Sequence, residues 1–190
     1  MKVIKTELEG VVILEPTIFR DERGCFFESF RQCDFAEKVL ATTFVQENES
    51  HSVYGVIRGL HYQLPPCAQS KLVRVVRGEV LDVAVDIRRG SPTFGHHVAV
   101  RLSEENHRQL FIPRGFAHGF SVLSGDGAVL QYKCDNYYAP QAEEALAFDD
   151  PALGIEWIVP PGQRIVSERD RQNPLLAAAK LFDFEGNKVI

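Results

Sequence analysis

A chain of 190 residues, 45% hydrophobic and 25% charged, has ample apolar material for a core and too balanced a composition for disorder. Its formal net charge of -5 argues against nucleic acid as the main partner, so local basic clusters read as pockets for small anions. The four cysteines are scattered without a C-x-x-C pair, which argues against a metal or redox cluster and suits reduced thiols in the cytoplasm.

The segment Met1 to Glu7 lacks the apolar core of a signal peptide, and no stretch approaches the about 18 apolar residues that span a bilayer. Short alternating runs then follow at 11–15 and 26–30. Phe35, Val39 and Leu40 behind an Asp34 cap give a helical pattern. Further alternating runs occupy 56–63, 71–77, 81–87, 97–102, 109–112, 116–123 and 128–133, separated by turn signals such as Arg77-Gly78-Glu79 and Pro113-Arg114-Gly115. In the run 81–87, Leu81, Val83, Val85 and Ile87 share one face and Asp82, Ala84 and Asp86 the other, the mark of a half-buried strand. A second helical pattern covers Pro174–Phe182. So many short strands predict an all-β fold closed as a sandwich or barrel, which also hides its edges. There is no repeat, linker or composition break, so one domain is expected over 1–190, with a barrel core over roughly residues 40–140.

Strand parity puts proton-active groups on apolar faces: His118 with Phe116 and Phe120, Lys71 with Val73 and Val75, Tyr132 with Leu130 and Ala128. One such residue is more often a satisfied core side chain than a catalyst. Three of them on separate strands, with His61 on a fourth, predict convergence inside the barrel. A metal is not expected: His96 and His97 are adjacent and point to opposite faces, and the other histidines are isolated. Arg23, in a charged turn, and Arg58, beside the His61 run, suit bidentate recognition of a diphosphate. The sequence has no G-x-G-x-x-G or Walker-type loop, so no dinucleotide or triphosphate site is expected.

Ordered motifs along nearly the whole chain are more specific. They include Asp21-Glu22-Arg23-Gly24, Phe26-Phe27-Glu28-Ser29, Gln46 with Asn48, Arg58-Gly59-Leu60-His61-Tyr62-Gln63, Lys71-Leu72-Val73-Arg74, Gly115-Phe116-Ala117-His118-Gly119-Phe120, Tyr132-Lys133 with Tyr137-Tyr138-Ala139-Pro140, and Ser167-Glu168-Arg169-Asp170. In these the chain resembles the dTDP-4-dehydrorhamnose 3,5-epimerase family. The resemblance implies a cupin-like antiparallel β-barrel or jelly roll with a few short helices, working as a homodimer without cofactor or metal. It implies a nucleotide-sugar substrate, dTDP-4-dehydro-6-deoxy-D-glucose, inverted at C3 and C5. It also implies His61 as base, Asp170 as its carboxylate partner, Tyr132 as acid and Lys71, with His118 nearby, as stabiliser of the enolate oxygen. Arg23, Glu28, Gln46, Asn48, Arg58, Glu143 and Arg169 match substrate-holding positions. The chain departs from the family pattern at Glu49, where His is typical, at Phe111, where Trp is typical, and at Val129-Leu130-Gln131 ahead of Tyr132. Inversion at one carbon only, another nucleotide, sugar binding without turnover, and ketone migration remain alternatives on sequence grounds.

Overall fold

The computed structural model describes residues 1–184. In chain order the elements are β1 (Lys2–Lys5), β2 (Val12–Glu15), β3 (Ile18–Asp21), β4 (Gly24–Phe27), α1 (Gln32–Lys38), β5 (Gln46–Ser52), β6 (Ile57–Gln63), β7 (Lys71–Arg77), β8 (Glu79–Asp86), β9 (Arg88–Arg89), β10 (His97–Ser103), β11 (Gln109–Ile112), β12 (Phe116–Val122), β13 (Ala128–Cys134), β14 (Glu143–Ala145), α2 (Glu168–Arg171) and β15 (Phe182–Asp183). A six-stranded sheet runs β1-β2-β11-β7-β13-β5 and a five-stranded sheet runs β10-β8-β12-β6-β14; every pairing within them is antiparallel. This is the closed all-β fold anticipated from the alternating runs, in the form of the cupin-like jelly roll that the resemblance implies.

The two sheets enclose one core. Val73 and Val75 of β7, Leu110 and Ile112 of β11, and Leu130 of β13 meet Ala84 of β8 and Phe116 and Phe120 of β12. The outer face of the five-stranded sheet is not left to solvent. Leu60, Tyr62, Leu81, Val83 and Val85 pack under the C-terminal segment, against Leu146, Phe148 and Trp157. Trp157 is buried without an orphaned donor, because its Nε1–H donates to the Phe148 carbonyl at 2.7 Å. On the outer face of the six-stranded sheet, Phe35 of α1 meets the Phe44 and Phe111 rings at centroid distances of 5.1 Å each. Burying a side chain of that size is worth about 1.5–3 kcal/mol, which anchors a helix too short to persist alone.

Several expectations are corrected. β8 is buried on both faces, so the alternation of acids in it marks the barrel interior and not solvent. Asp86, fully buried, accepts hydrogen bonds from Arg88, Ser91 and Thr93. α1 starts at an Arg31 cap that makes no side-chain bond; Asp34 lies in the first turn and pairs with Lys38 at 3.3 Å. The Pro174–Phe182 helix is absent. That stretch holds one three-ten turn at Leu176–Ala178, and Phe182 then leaves to pair with Arg88 of β9. The all-polar strand β5 has no hydrophobic signature; its ladder with β13, from Ala128↔Ser52 to Cys134↔Gln46, holds it in place.

Candidate active site

The site depends on an irregularity between β6 and β12. Arg58 pairs with Phe120 and His61 with His118, so β6 carries one residue more than β12 over the same span, a β-bulge. Gly59 absorbs it at φ 125°, where a Cβ would stand 2.5 Å from Gly119 Cα and 2.8 Å from the His118 carbonyl oxygen. A Cβ on Gly119 would in turn meet the Arg58 carbonyl oxygen at 2.6 Å. By strand parity Arg58 and His61 belong on opposite faces; the bulge turns both into one cavity.

His61 Nε2 lies 2.7 Å from Asp170 Oδ1. A carboxylate only accepts, so the proton of the neutral ring resides on Nε2 and Nδ1 is the free basic nitrogen. Asp170 is presented by α2, whose Ser167 cap accepts the Asp170 backbone N–H at 3.0 Å. Burial by itself raises the Asp170 pKa, but the hydrogen bond and charge of His61, the Gly59 N–H and the Ser167 hydroxyl outweigh it and hold the carboxyl below its ordinary value. Beside this pair is a second one. His118, the cross-strand partner of His61, has Nε2 at 3.0 Å from both oxygens of the fully buried Asp82.

Across the barrel, on the six-stranded sheet, stand Lys71 of β7 and Tyr132 of β13. The Lys71 ammonium is 5.9 Å from the Tyr132 ring centroid and donates to the His61 carbonyl at 3.4 Å, reaching from one sheet to the other. Burial draws the Lys71 pKa below the usual lysine value, against the pull of Cys134, Asp82 and Glu143. Burial pushes the Tyr132 phenol up, partly offset by a hydrogen bond with Asn48 and the charge of Arg58. Two cavities of about 490 and 310 Å³ meet here, and His61, Lys71 and Tyr132 line both.

Most of the residues anticipated from sequence gather around these cavities. Asp170, Arg58, His118 and Arg169 line the larger; Gln46, Asn48 and Glu143 line the smaller. Arg58 Nε donates to Ser52 Oγ at 3.1 Å, and Gln46 Nε2 to Asn48 Oδ1 at 3.1 Å. Glu143 accepts from Tyr138 OH at 2.8 Å and pairs with Arg169. Burial alone raises the Glu143 pKa, but these two partners outweigh it and hold the carboxyl low. Arg23 and Glu28 do not join them within this chain: Arg23 pairs with Asp21 on the β3–β4 hairpin, and Glu28 with Arg31.

The departures from the family pattern lie away from both cavities. Glu49 points outward and bonds His51 at 2.8 Å and Gln131 at 2.7 Å, while Phe111 and Leu130 are core residues. Among the lining or supporting residues not singled out from sequence are Asp82, Tyr138 and Ser50, the last with a buried hydroxyl that has no hydrogen-bond partner among the described residues. Even-numbered parity along β5 and β8 was the signal that could have found Ser50 and Asp82. Among the described residues no three His, Cys, Asp or Glu side chains come together as metal ligands.

The site is thus a two-chambered cavity in a jelly roll, with an imidazole–carboxylate pair on one wall and a lysine and a phenol on the other. Residues 5–178 match the family model described as dTDP-4-dehydrorhamnose 3,5-epimerase. An enzyme of that name from Shigella flexneri is 53% identical over 191 residues, covering 100% of this chain and 97% of that protein. A Legionella pneumophila dTDP-6-deoxy-D-glucose-3,5-epimerase, solved in complex with dTDP-4-keto-L-rhamnose, superposes with a TM-score of 0.92 at 47% identity, covering 97% of this chain and 99% of that one. A Streptomyces bikiniensis 3'-monoepimerase, solved with dTDP-quinovose, gives a TM-score of 0.84 at 37% identity, over 92% and 87% of the two chains. The chain belongs to the dTDP-4-dehydrorhamnose 3,5-epimerase family.

Proposed function

We propose that this chain inverts both C3 and C5 of dTDP-4-dehydro-6-deoxy-D-glucose, giving dTDP-4-dehydro-L-rhamnose through enolates conjugated with the C4 oxygen, and that it needs no cofactor or metal. The observation that carries this reading is the placement of His61 and Tyr132 on opposite sheets around one cavity. Inverting a carbon through a planar enolate requires proton removal on one face and delivery on the other, which a single two-way base does not accomplish.

In this reading His61 takes the proton at Nδ1, and Asp170 orients the ring and stabilises the imidazolium that forms. Positioned acid–base groups of this kind contribute roughly 10²–10⁴-fold each. Tyr132 delivers a proton from the far side; the enolate is basic enough to take it even from a phenol whose pKa burial has raised. Lys71, with His118, faces the negative charge on the C4 oxygen, where a cation in a dry cavity counts most. Gln46, Asn48, Arg58, Glu143 and Arg169 hold the nucleotide and sugar. Proton NMR of the product in D2O tests the reading. Deuterium is expected at both C3 and C5 in an L-configured sugar, and His61→Ala is expected to abolish the exchange. Deuterium at one carbon only points instead to single inversion, as in the monoepimerase relative; undiminished exchange in the variant removes His61 from the mechanism.

The chain works as one domain in the cytoplasm, a setting that agrees with four cysteines that are all unpaired. It also works as a homodimer. The cross-strand pair Phe19 and Phe26 on the β3–β4 hairpin is 63% and 72% exposed, and Arg23 and Glu28 lie on and just beyond the same hairpin, away from their own cavity. Docking that aromatic face on a second copy removes it from water and carries Arg23 and Glu28 toward the partner's site. Light scattering is expected to give twice the chain mass, and Phe26→Asp to halve it.

A further inference from the structure

Two inversions on one bound sugar raise a problem of proton bookkeeping. Each inversion leaves the base as an imidazolium and the acid as a phenolate. The second cannot start until a proton has in effect moved from His61 to Tyr132. These two stand on opposite sheets with the sugar between them, so direct transfer is blocked while the site is occupied.

We propose that Lys71 resets the pair between inversions: its ammonium gives a proton to the Tyr132 phenolate, and the resulting amine takes one from the His61 imidazolium. This deepens the double-inversion reading and rests on it. The two transfers sum to His61-H⁺ plus Tyr132-O⁻ returning to neutral His61 and Tyr132-OH, with Lys71 unchanged and no co-reactant consumed.

The geometry singles out this residue. Lys71 borders both cavities together with the base and the acid. Its ammonium touches the His61 backbone at 3.4 Å and stands 5.9 Å from the Tyr132 ring centroid. It reaches Tyr132 from the neighbouring strand, since Cys134 pairs with Lys71 and Tyr132 with Val73. The neighbouring candidates are less well placed. Cys134 is buried and its thiol pKa is pushed up to about 11, and His118 stands beside His61 on the five-stranded sheet, across the cavity from Tyr132. Burial also tilts the energetics the right way, lowering Lys71 and raising Tyr132, so that passing a proton from ammonium to phenolate is easier here than in water.

Lys71→Arg separates a relay from a fixed charge, because arginine keeps its positive charge but does not give up its proton. Single-turnover reactions in D2O, followed at C3 and C5 by NMR, are the measurement. The variant is expected to complete the first exchange with a loss of about tenfold or less and the second with a loss of about a hundredfold or more, so that singly deuterated sugar accumulates. In Lys71→Ala, added ethylamine is expected to restore the second exchange more than the first, a readout that stands even if the arginine variant folds poorly. Equal slowing of both exchanges, or an unchanged ratio between them, overturns the relay while leaving the double inversion intact. Exchange at either carbon in His61→Ala overturns the underlying reading instead.

Discussion

The two histidines that face each other across β6 and β12 make nearly the same bond and sit in different settings. His61 is 30% exposed and its carboxylate arrives from α2, 109 residues later in the chain; His118 is 7% exposed and its carboxylate belongs to β8, the neighbouring strand. A base that is charged and discharged in each cycle needs a ring in contact with the cavity and a carboxylate that stabilises the transient imidazolium. A group that only faces charge on a substrate oxygen is better held rigidly by the barrel wall. On the proposed mechanism, one pair is therefore arranged for turnover and the other for position.

Breaking each pair in turn tests that contrast. The largest effect is expected from Asp170→Asn, which keeps the shape but withdraws the negative charge from the base: kcat should fall by roughly 10²–10⁴-fold with KM little changed. His118→Asn should cost less, about 10–10²-fold in kcat, as the loss of one of two groups facing the oxyanion. Equal losses in steady-state assays of the two variants would erase the distinction. The smallest effect concerns stability. The Asp170 carboxyl titrates below its ordinary value. Its ionised form therefore contributes stability in full above the unfolded-state pKa of about 3.9, and that contribution is lost as the pH falls through the lower folded-state value. Urea unfolding of Asp170→Asn between pH about 5 and 2 should show a shallower decline than the parent; parallel curves would mean that the pair adds nothing to the fold.

Much of this architecture was legible beforehand because period-two alternation survives wherever one strand face is apolar, as in β7, β12 and β13. The four residues proposed for catalysis were picked out by ordered motifs and not by hydropathy, and His61, Lys71, Tyr132 and Asp170 line one cavity. What stayed hidden has physical causes. β5 is built from Gln46 to Ser52 without one apolar residue, so its strand character comes wholly from pairing with β13. Asp82 looked solvated because acids usually are, and only the roof of Trp157, Phe148 and Leu146 over the other face of β8 shows that its own side is the interior. α2 is a four-residue helix, too brief for any periodicity to register. Arg23 and Glu28 were grouped with the cavity by motif, whereas a single chain keeps them apart.

The meeting of Gly59 with Gly119 has a consequence for how this enzyme tolerates change. Sixty positions apart in the sequence, they form one contact, and a methyl group on either collides with main-chain atoms of the other strand. Mutational scanning should therefore find both positions as intolerant as His61, although neither side chain has an atom to offer a substrate. That crossing lies between the Arg58–Phe120 and His61–His118 pairs, so a contact without side chains fixes the register in which the two histidines meet.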